Sequence, residues 1–453
     1  MVSADNLNLD VLELIFAFLF GNDLPSVALV SRSFLAAVIP RLYSSISYRL
    51  RQAKGYDVGE TISPFAAVVT HPHLAVHVRK IQILAVPTVK SPIHSVFVRE
   101  CREAIRICTN LRIFNCVVPN VLSMLLPGLQ EKERLERIRI CANLTLEQTK
   151  LLVKVRNLQH LSLEFASWNV VDLLPSWTMS LSSTLTSLTL YMIYDLHEDI
   201  FGSILDNLPN LIGLHVVGCP KVDHVIVFRH LSKTPLLQNL SLTTSENTRA
   251  LALPPPLLRD LKHIAFDVRY SMSPSPSPTI LASILDHLKP SSPSLVHFVI
   301  KMPERKVLVG EPFINKLLES SKHSLRRLAF LDCGVSPESL INICKSCIHL
   351  ERLDIAIPVK EMPSFIHNIS DARTLRTLVD VDNHVEHGIR PSLGSDNVMH
   401  LMRHNPSLKE VITTHRVWTR IVDRKDQLIV TLDRRHPPSP GSFWFMPRKT
   451  NFQ

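Results

Sequence analysis

Six residues read Leu158-Gln-His-Leu161-Ser-Leu163, and almost the same spelling returns at Leu185-Thr-Ser-Leu188-Thr-Leu190. Both follow one pattern: an apolar residue, two variable residues, an apolar residue, one variable residue and a last apolar residue. The alternation at its end places the last two apolar side chains on one face of a short strand and the variable residue between them on the other. The pattern therefore predicts strands that bury one face.

Copies of this pattern run through most of the chain, and neighbouring copies begin 23 to 34 residues apart, about 27 on average. They begin at Val78, Leu111, Leu135, Leu158, Leu185, Leu211, Leu237, Leu261, Leu295, Leu325, Leu350, Leu375 and Leu408. Helical stretches such as 199–208 and 337–346 follow the strands, with apolar residues at helical spacing. Because one strand and one helix cannot bury their apolar faces alone, such units stack. The chain resembles irregular leucine-rich repeats over residues 78–415, which predicts an α/β fold, a solenoid whose short parallel strands and helices form a horseshoe.

The N-terminal residues predict a small helical domain instead of a repeat. A first helix is expected over residues 6–20, opened by an Asn cap, a second from Asp23, and a third stretch from Arg32 that continues or follows it. The first helix carries two apolar stripes: Leu9, Leu12, Phe16 and Leu19 form one, and Val11, Ile15 and Phe18 form the other. About 45 residues have too little interior to bury both stripes. We therefore expect one stripe to contact a partner protein, the alternative being that it packs on the first repeats.

These residues resemble the F-box, in a chain arranged like the fungal F-box proteins with C-terminal leucine-rich repeats. The matching positions are Leu7, Asp10, Val11, Leu12, Ile15, Phe16, Leu19, Asp23, Leu24, Val30, Ser31, Arg32, Phe34, Leu42 and Tyr43. The chain departs from the family at Asn8, where proline is usual. The resemblance implies that the helical domain binds the Skp-type adaptor of an SCF-type (Skp–cullin–F-box) ubiquitin ligase. The implied contacts are Leu7, Asn8, Val11, Ile15, Phe16, Leu19, Leu24, Val27, Val30 and Phe34.

The variable strand positions are the candidate substrate-binding residues, because solenoids bind partners on the concave surface that their strands form. The candidates are His160, Ser162, Glu164, Tyr191, His215, Asn239, Ser241, His263, Arg327, Arg352 and Asp354. The set mixes both charges with hydroxyl groups and an aromatic ring. This mixture favours a protein partner over a nucleic-acid backbone.

The expected organisation is an F-box-like helical domain at 1–48, a linker or entry segment at 49–77, repeats at 78–415 and a basic C-terminal tail at 416–453. The net charge is +10, and the tail carries eight basic and three acidic residues. A solvated, poorly ordered terminus is the interpretation we prefer for it. Binding to nucleic acid is the alternative, which predicts salt-sensitive affinity that is lost when the tail is deleted.

Motifs for catalysis are absent from the sequence, which has 12 glycines, no glycine-rich phosphate loop, no GxSxG and no HExxH. We expect no enzyme activity and no cofactor. No metal site is expected either, although Cys344-x-x-Cys347 with His349, and His400 and His404 with His384 and His387, are possible ligand sets. Plain surface loop is preferred over phosphorylation for Ser273, Ser275 and Ser277, each of which precedes a proline.

The eight cysteines are scattered, and residues 1–14 carry no Lys or Arg, unlike a secretory signal. We expect free thiols, no membrane segment and a cytoplasmic or nuclear location.

The predicted function is that of a substrate-recognition subunit of an SCF-type ubiquitin ligase. The alternative is a leucine-rich-repeat scaffold that binds proteins without ubiquitin transfer, and adaptor binding discriminates between the two.

Overall fold

The computed structural model describes residues 8–19, 21, 23–56, 62–88, 93–245, 251, 256–269, 277–291, 294–302, 308–381, 392–413, 416–422 and 428–434. The chain divides into two compact units, Met1–Leu188 and Thr189–Gln453.

Sixteen helices occur in the described residues. They are α1 Leu9–Phe16, α2 Asp23–Ala28, α3 Arg32–Leu42, α4 Leu50–Tyr56, α5 Pro64–Thr70, α6 Ser95–Ile107, α7 Leu122–Gln130, α8 Leu146–Leu152, α9 Trp168–Ser180, α10 Glu198–Asp206, α11 His224–His230, α12 Ser277–Leu288, α13 Glu311–Ser321, α14 Pro337–Ser346, α15 Met362–Ile369 and α16 Ser395–His404. Short 3₁₀ turns lie at Pro72–His77, Leu231–Lys233, Lys289–Ser291 and Val359–Glu361.

The described strands number eighteen. They are β1 Ser45–Tyr48, β2 Lys80–Ile83, β3 Ile113–Cys116, β4 Arg137–Cys141, β5 His160–Glu164, β6 Ser187–Tyr191, β7 Gly213–Val217, β8 Asn239–Ser245, β9 His263–Arg269, β10 His297–Lys301, β11 Leu308–Val309, β12 Arg327–Leu331, β13 Gly334–Val335, β14 Arg352–Ile355, β15 Thr377–Asp380, β16 Glu410–Ile412, β17 Arg416–Val422 and β18 Leu428–Arg434. Strand β6 spans the division between the two units.

In the first unit, β1 to β5 pair in parallel and in chain order. The register aligns the apolar positions of successive repeats in two buried columns. One column is Ile46, Ile81, Phe114, Ile138 and Leu161, and the other is Tyr48, Ile83, Cys116, Ile140 and Leu163. The variable positions alternate with these columns and form the other face of the sheet, which we call the variable face.

In the second unit, β7, β8, β9, β10, β12, β14, β15 and β16 pair in parallel in this order. A buried column again runs through the register: Leu214, Leu240, Ile264, Phe298, Leu328, Leu353, Leu378 and Val411. The repeating parallel strands and helices in each unit establish the predicted α/β leucine-rich-repeat solenoid fold.

Side-chain caps start several of the repeat helices, which explains where they begin. Thr145 and Gln148 form a reciprocal capping box at the start of α8. The Ser336 hydroxyl accepts a hydrogen bond from the Ser339 backbone N–H at the start of α14. Helix α14 has the bounds predicted from the sequence, 337–346.

The segment 49–77 is not a linker, which corrects the predicted organisation. It contains α4, α5 and the 3₁₀ turn Pro72–His77, and β1 before it already pairs with β2. The parallel sheet of the first unit therefore begins inside the predicted helical domain, at Ser45. Tyr43-x-x-Ile46-x-Tyr48 follows the repeat pattern with aromatic residues in place of leucine, and this substitution hid the copy.

The predicted C-terminal tail is also wrong in part. Strands β17 and β18 form an antiparallel hairpin, and β17 pairs with the last parallel strand, β16. Trp418 on β17 is buried. Val, Ile, Thr and Trp favour strands, and here this propensity outweighs the disorder that is expected of a chain terminus. Residues 435–453 lie outside the described residues.

Two adjacent leucines test how far the buried leucine that opens a repeat stabilises the second unit. Leu237 is fully buried, whereas Leu236 is 47% exposed. We expect Leu237→Ala to lower the free energy of unfolding by roughly 2–5 kcal/mol, because it leaves a cavity between repeats. Leu236→Ala should change it by less than about 0.5 kcal/mol. Urea unfolding followed by circular dichroism measures both, and equal effects would contradict the described packing.

Candidate functional site

The helical domain has a small core of its own. Leu12 and Phe16 of α1 pack on Ala37 and Val38 of α3. The Phe16 ring meets the Phe34 ring edge to face, with 5.1 Å between the centroids. Leu12, Phe16 and Leu19 of the first predicted stripe therefore face the interior, whereas Leu9 is 42% exposed.

The second stripe of α1 remains exposed. Val11, Leu14, Ile15 and Phe18 are 41%, 69%, 48% and 81% exposed. Their spacing of three and four residues puts them on one side of α1 and the turn that follows it. We call these four residues the α1 stripe. An exposed apolar stripe beside an already packed core is the usual mark of a surface that contacts another protein.

The predicted adaptor contacts divide by burial. Val11, Ile15 and Val30 are exposed, and Asn8 is exposed just ahead of α1. Phe16 is a core residue, which corrects its prediction as a contact, and Leu19, Leu24, Val27 and Phe34 are partly buried against the same core. Leu7 lies outside the described residues. Leu14 and the exposed Leu29 were missed, although the helical spacing 11, 14, 15, 18 was available to find Leu14.

Two backbone features bear on the resemblance in this domain. The helix begins later than predicted: the Asn8 side chain makes no capping hydrogen bond, and only its carbonyl accepts from the N–H groups of Val11 and Leu12. Asn6, which opens the predicted helix, lies outside the described residues. Its φ of −59° is one that proline adopts, so the position suits the family residue. Ser31 does cap α3, since its hydroxyl accepts from the Phe34 N–H at 3.2 Å.

The predicted substrate-binding residues lie on the variable face, but five are buried: Ser162, Glu164, His215, Ser241 and Asp354. The other six are half-buried: His160, Tyr191, Asn239, His263, Arg327 and Arg352. Burial leaves little of the first five side chains for a substrate to contact. Closely spaced parallel strands let neighbouring side chains cover one another, which a one-dimensional pattern does not reveal.

In the first unit, a charged pair links two strands of this face. Arg139 Nε on β4 donates to Glu164 Oε1 on β5 at 2.6 Å. Burial raises the pKa of the Glu164 carboxyl, and the neighbouring Arg139 guanidinium opposes that rise.

In the second unit, the variable face carries two groups of hydrogen-bonded polar side chains. His215 Nδ1 and Ser241 Oγ are hydrogen-bonded at 2.8 Å. Farther along, Arg327 and Arg352 both donate to the buried Asp354 carboxylate. None of these pairings was predicted from the sequence. Two of them join residues 26 and 27 positions apart, and the sharing of Asp354 depends on the register that brings Arg327 beside Arg352.

Apolar residues also occupy part of this face, which the sequence interpretation did not anticipate. Val217, Ala265, Val299 and Ala329 form a buried cluster, with Tyr191 and Leu331 packed against it. The face in the second unit thus combines an apolar centre with polar margins. This composition suits contact with a protein, since interfaces combine an apolar core with a polar rim.

All eight cysteines are buried free thiols, as expected from their scatter. Burial raises the pKa of the Cys108, Cys116, Cys333, Cys344 and Cys347 thiols to about 12. Cys344 and Cys347 belong to the apolar interior around α14.

Within the described ranges, no three His, Cys, Asp or Glu side chains are placed to share a metal ion. His400 and His404 stack on each other, while His384 and His387 lie outside those ranges.

The sequence comparisons find no relative, whereas solved structures with a similar fold exist. No family model matches the chain, and no curated protein matches it. Among solved structures, the yeast complex of Rad7 and Elc1 is similar with a TM-score of 0.47 and 13% identity, over 87% of this chain and 98% of that one. The leucine-rich-repeat-containing protein LegL7 from Legionella pneumophila is similar with a TM-score of 0.39 and 15% identity, over 69% of this chain and 96% of that one. In the described part of the chain, no helix has the length and apolar character needed to cross a membrane.

The thiols give a direct test of this packing. At pH 8 we expect Ellman's reagent to label none of the eight cysteines within minutes, because burial shields each sulfur from the reagent. All eight should react in 8 M urea, which serves as the control. Rapid labelling of any cysteine in the native chain would contradict its burial.

Proposed function

We propose that this chain is a substrate-recognition subunit of an SCF-type ubiquitin ligase. The helical domain binds a Skp-type adaptor, and the variable face of the repeats binds a protein substrate. The observation that carries the proposal is the α1 stripe, an exposed apolar surface on a helical domain whose core is already filled. The F-box resemblance at the same residues supports the choice of adaptor.

The energetics favour a partner on the α1 stripe. Burying an apolar side chain such as Val11, Ile15 or Phe18 contributes roughly 1.5–3 kcal/mol when it leaves water completely. Val11 and Ile15 are already more than half buried, so each contributes only part of this amount, and Phe18, 81% exposed, contributes the most. Asn8 offers a backbone in the conformation of the usual proline, so the departure there removes one ring contact and does not change the shape of the helix start.

No catalytic step is assigned to this chain. Its contribution is proximity: the helical domain fixes it to the ligase, and the repeats hold the substrate near the ubiquitin-charged enzyme. A location in the cytoplasm or nucleus follows from this role.

The alternative is a scaffold whose repeats bind proteins without ubiquitin transfer. The apolar centre and polar margins of the variable face serve either role, so this face does not discriminate between them. Only the α1 stripe does, because a scaffold has no use for an adaptor surface.

Nucleic-acid binding by residues 416–453 is less favoured, because much of the charge lies on a hairpin that extends the sheet. Deleting the whole segment would also remove the strand paired with β16. A truncation after Arg434 tests nucleic-acid binding without removing the strand paired with β16. If the hairpin carried that binding, the truncated chain would still bind nucleic acid in a salt-sensitive manner.

Adaptor binding tests the proposal. We expect wild-type chain to co-purify with the Skp-type adaptor of its organism, and the double variant Val11→Asp, Ile15→Asp to lose the complex. Two carboxylates placed in an apolar interface should cost several kcal/mol. Both positions are exposed, so the variant should keep its fold, as circular dichroism can verify.

The matched control is Leu146→Asp, which introduces a carboxylate at a similarly exposed leucine on repeat helix α8. It should bind the adaptor like wild type. Absence of binding by wild type, or equal binding by wild type and the folded double variant, would reject the ligase assignment and favour the scaffold.

A further inference from the structure

Strand β18 is the last strand of the sheet in the second unit. It pairs with β17 in an unbroken register from Leu428 to Arg434, and β17 pairs on its other side with β16. Among the described residues, no strand pairs with the outer edge of β18, which we call the β18 edge. A regular edge of seven residues offers its backbone groups to another strand.

The hydrogen bonds of β17 show which of its residues face β18. The Arg420 N–H donates to the Lys409 carbonyl at 2.8 Å, on the side of β16. Because successive residues of a strand direct their backbone groups to opposite edges, the backbone groups of Thr419 and Ile421 point to β18. The Thr431 hydroxyl on β18 donates to the Thr419 carbonyl at 3.3 Å, which agrees with this direction.

The register then fixes the backbone groups that β18 presents at its edge. Thr431 lies opposite Thr419, so its backbone bonds to β17. Ile429 lies opposite Ile421, and its backbone does the same. The alternate residues direct their N–H and C=O groups outward: Leu428, Val430 and Leu432. The β18 edge therefore presents donors and acceptors in the spacing of a β-ladder.

The residues at this edge lack the features that protect edge strands from pairing. Such strands usually carry lysine, proline or a bulge. The stretch Leu428-Ile-Val-Thr-Leu432 contains no charged residue and no proline, and its register with β17 has no bulge. Leu432 is 54% exposed, and Ile429, on the opposite face of the strand, is 44% exposed. A further strand at the β18 edge would remove apolar surface of both side chains from water.

The sequence of the edge is close to a palindrome. Leucine stands at both ends of Leu428-Ile-Val-Thr-Leu432, with Val430 at the centre and a β-branched residue on each side of it. In an antiparallel pair with a second copy centred on Val430, Leu428 lies opposite the partner's Leu432, and Val430 lies opposite the partner's Val430. The outward-facing groups of these residues then form about six backbone hydrogen bonds. The edge is therefore its own complement, as a two-fold dimer requires.

This alignment also keeps charge out of the contact. Shifting the second copy by two residues would place Ile429 opposite the partner's Asp433, which sets a carboxylate against an apolar side chain. Shifting it by one residue would set outward-facing groups against groups already bonded to β17. An extended segment of unrelated sequence offers the backbone pairing without the apolar match, so the edge favours a second copy.

We propose that β18 pairs antiparallel with β18 of a second copy of this chain, about a two-fold axis at Val430. This inference goes beyond the proposed function and does not rest on it. The added strand covers Leu432 on the face that carries the buried Trp418, and Ile429 on the other face. The contact uses only residues of the second unit.

Sedimentation equilibrium of the full-length chain over a range of concentrations tests this contact. We expect wild type to form a dimer that dissociates on dilution. Val430→Lys and Val430→Glu should each weaken self-association about tenfold or more, because like charges then oppose each other on the axis. An equimolar mixture of the two variants should recover the dimer, because the opposed charges then differ in sign.

Two controls keep the contact specific. Val422→Lys places the same charge on β17, one strand from the edge, at a side chain that is 52% exposed, and should leave the dimer intact. The double variant Val11→Asp, Ile15→Asp should also remain dimeric, because the α1 stripe takes no part in the contact. If Val430→Lys fails to fold by circular dichroism, Leu432→Lys places the charge at an exposed position of the same edge and should dissociate the dimer.

Several results would overturn the proposal. A wild-type chain that stays monomeric at the highest concentration reached, or folded edge variants that associate like wild type, would remove the contact. Equal loss of the dimer in Val422→Lys would indicate a general charge effect, and loss in Val11→Asp, Ile15→Asp would move the contact to the α1 stripe. A mixture of the two Val430 variants that stays monomeric would contradict the axis at Val430. Adaptor binding is measured separately, so the two proposals fail separately.

Discussion

The in-register stacking of apolar side chains from one parallel strand to the next is the interaction on which the rest of the structure depends. Leu240 on β8, for example, lies between Leu214 and Ile264 of the neighbouring strands and is buried by them and by the helices. A single repeat has no such neighbours and exposes both sides of its column. Stability within each unit is therefore shared between adjacent repeats, as in other solenoids.

The same register decides what the opposite face can do. Because each strand is shifted into alignment with the next, residues 25 or more positions apart in sequence become direct neighbours, as Arg327 and Arg352 do. Polar side chains then satisfy one another across strands, and Asp354 is buried beneath two guanidinium groups. A partner that binds this face therefore contacts side chains that hydrogen bonds already hold in place, and fewer side chains that must be ordered on binding. Such pre-organisation lowers the entropy cost of binding.

The sequence was sufficient for the repeat, because its pattern reports directly which side chains are buried. Helix α14 and the buried column through Leu353 follow from spacing alone. The start of the sheet at β1 was missed since Tyr43 and Tyr48 stand where leucine is usual. The hairpin β17–β18 was missed since its terminal position favoured disorder over its strand propensity. The shared carboxylate of Asp354 could not be predicted, because it depends on side-chain direction across a register that only the fold defines.

Hydrogen exchange of the full-length chain, with and without its Skp-type adaptor, tests the division of labour most directly. The account predicts slower exchange of backbone amides confined to the helical domain, in peptides that cover α1 to α3, with unchanged exchange in the strands of the second unit. Protection would accompany burial of the α1 stripe. Protection confined to the repeat strands, or none anywhere at saturating adaptor, would contradict the claim that the helical domain is the docking surface.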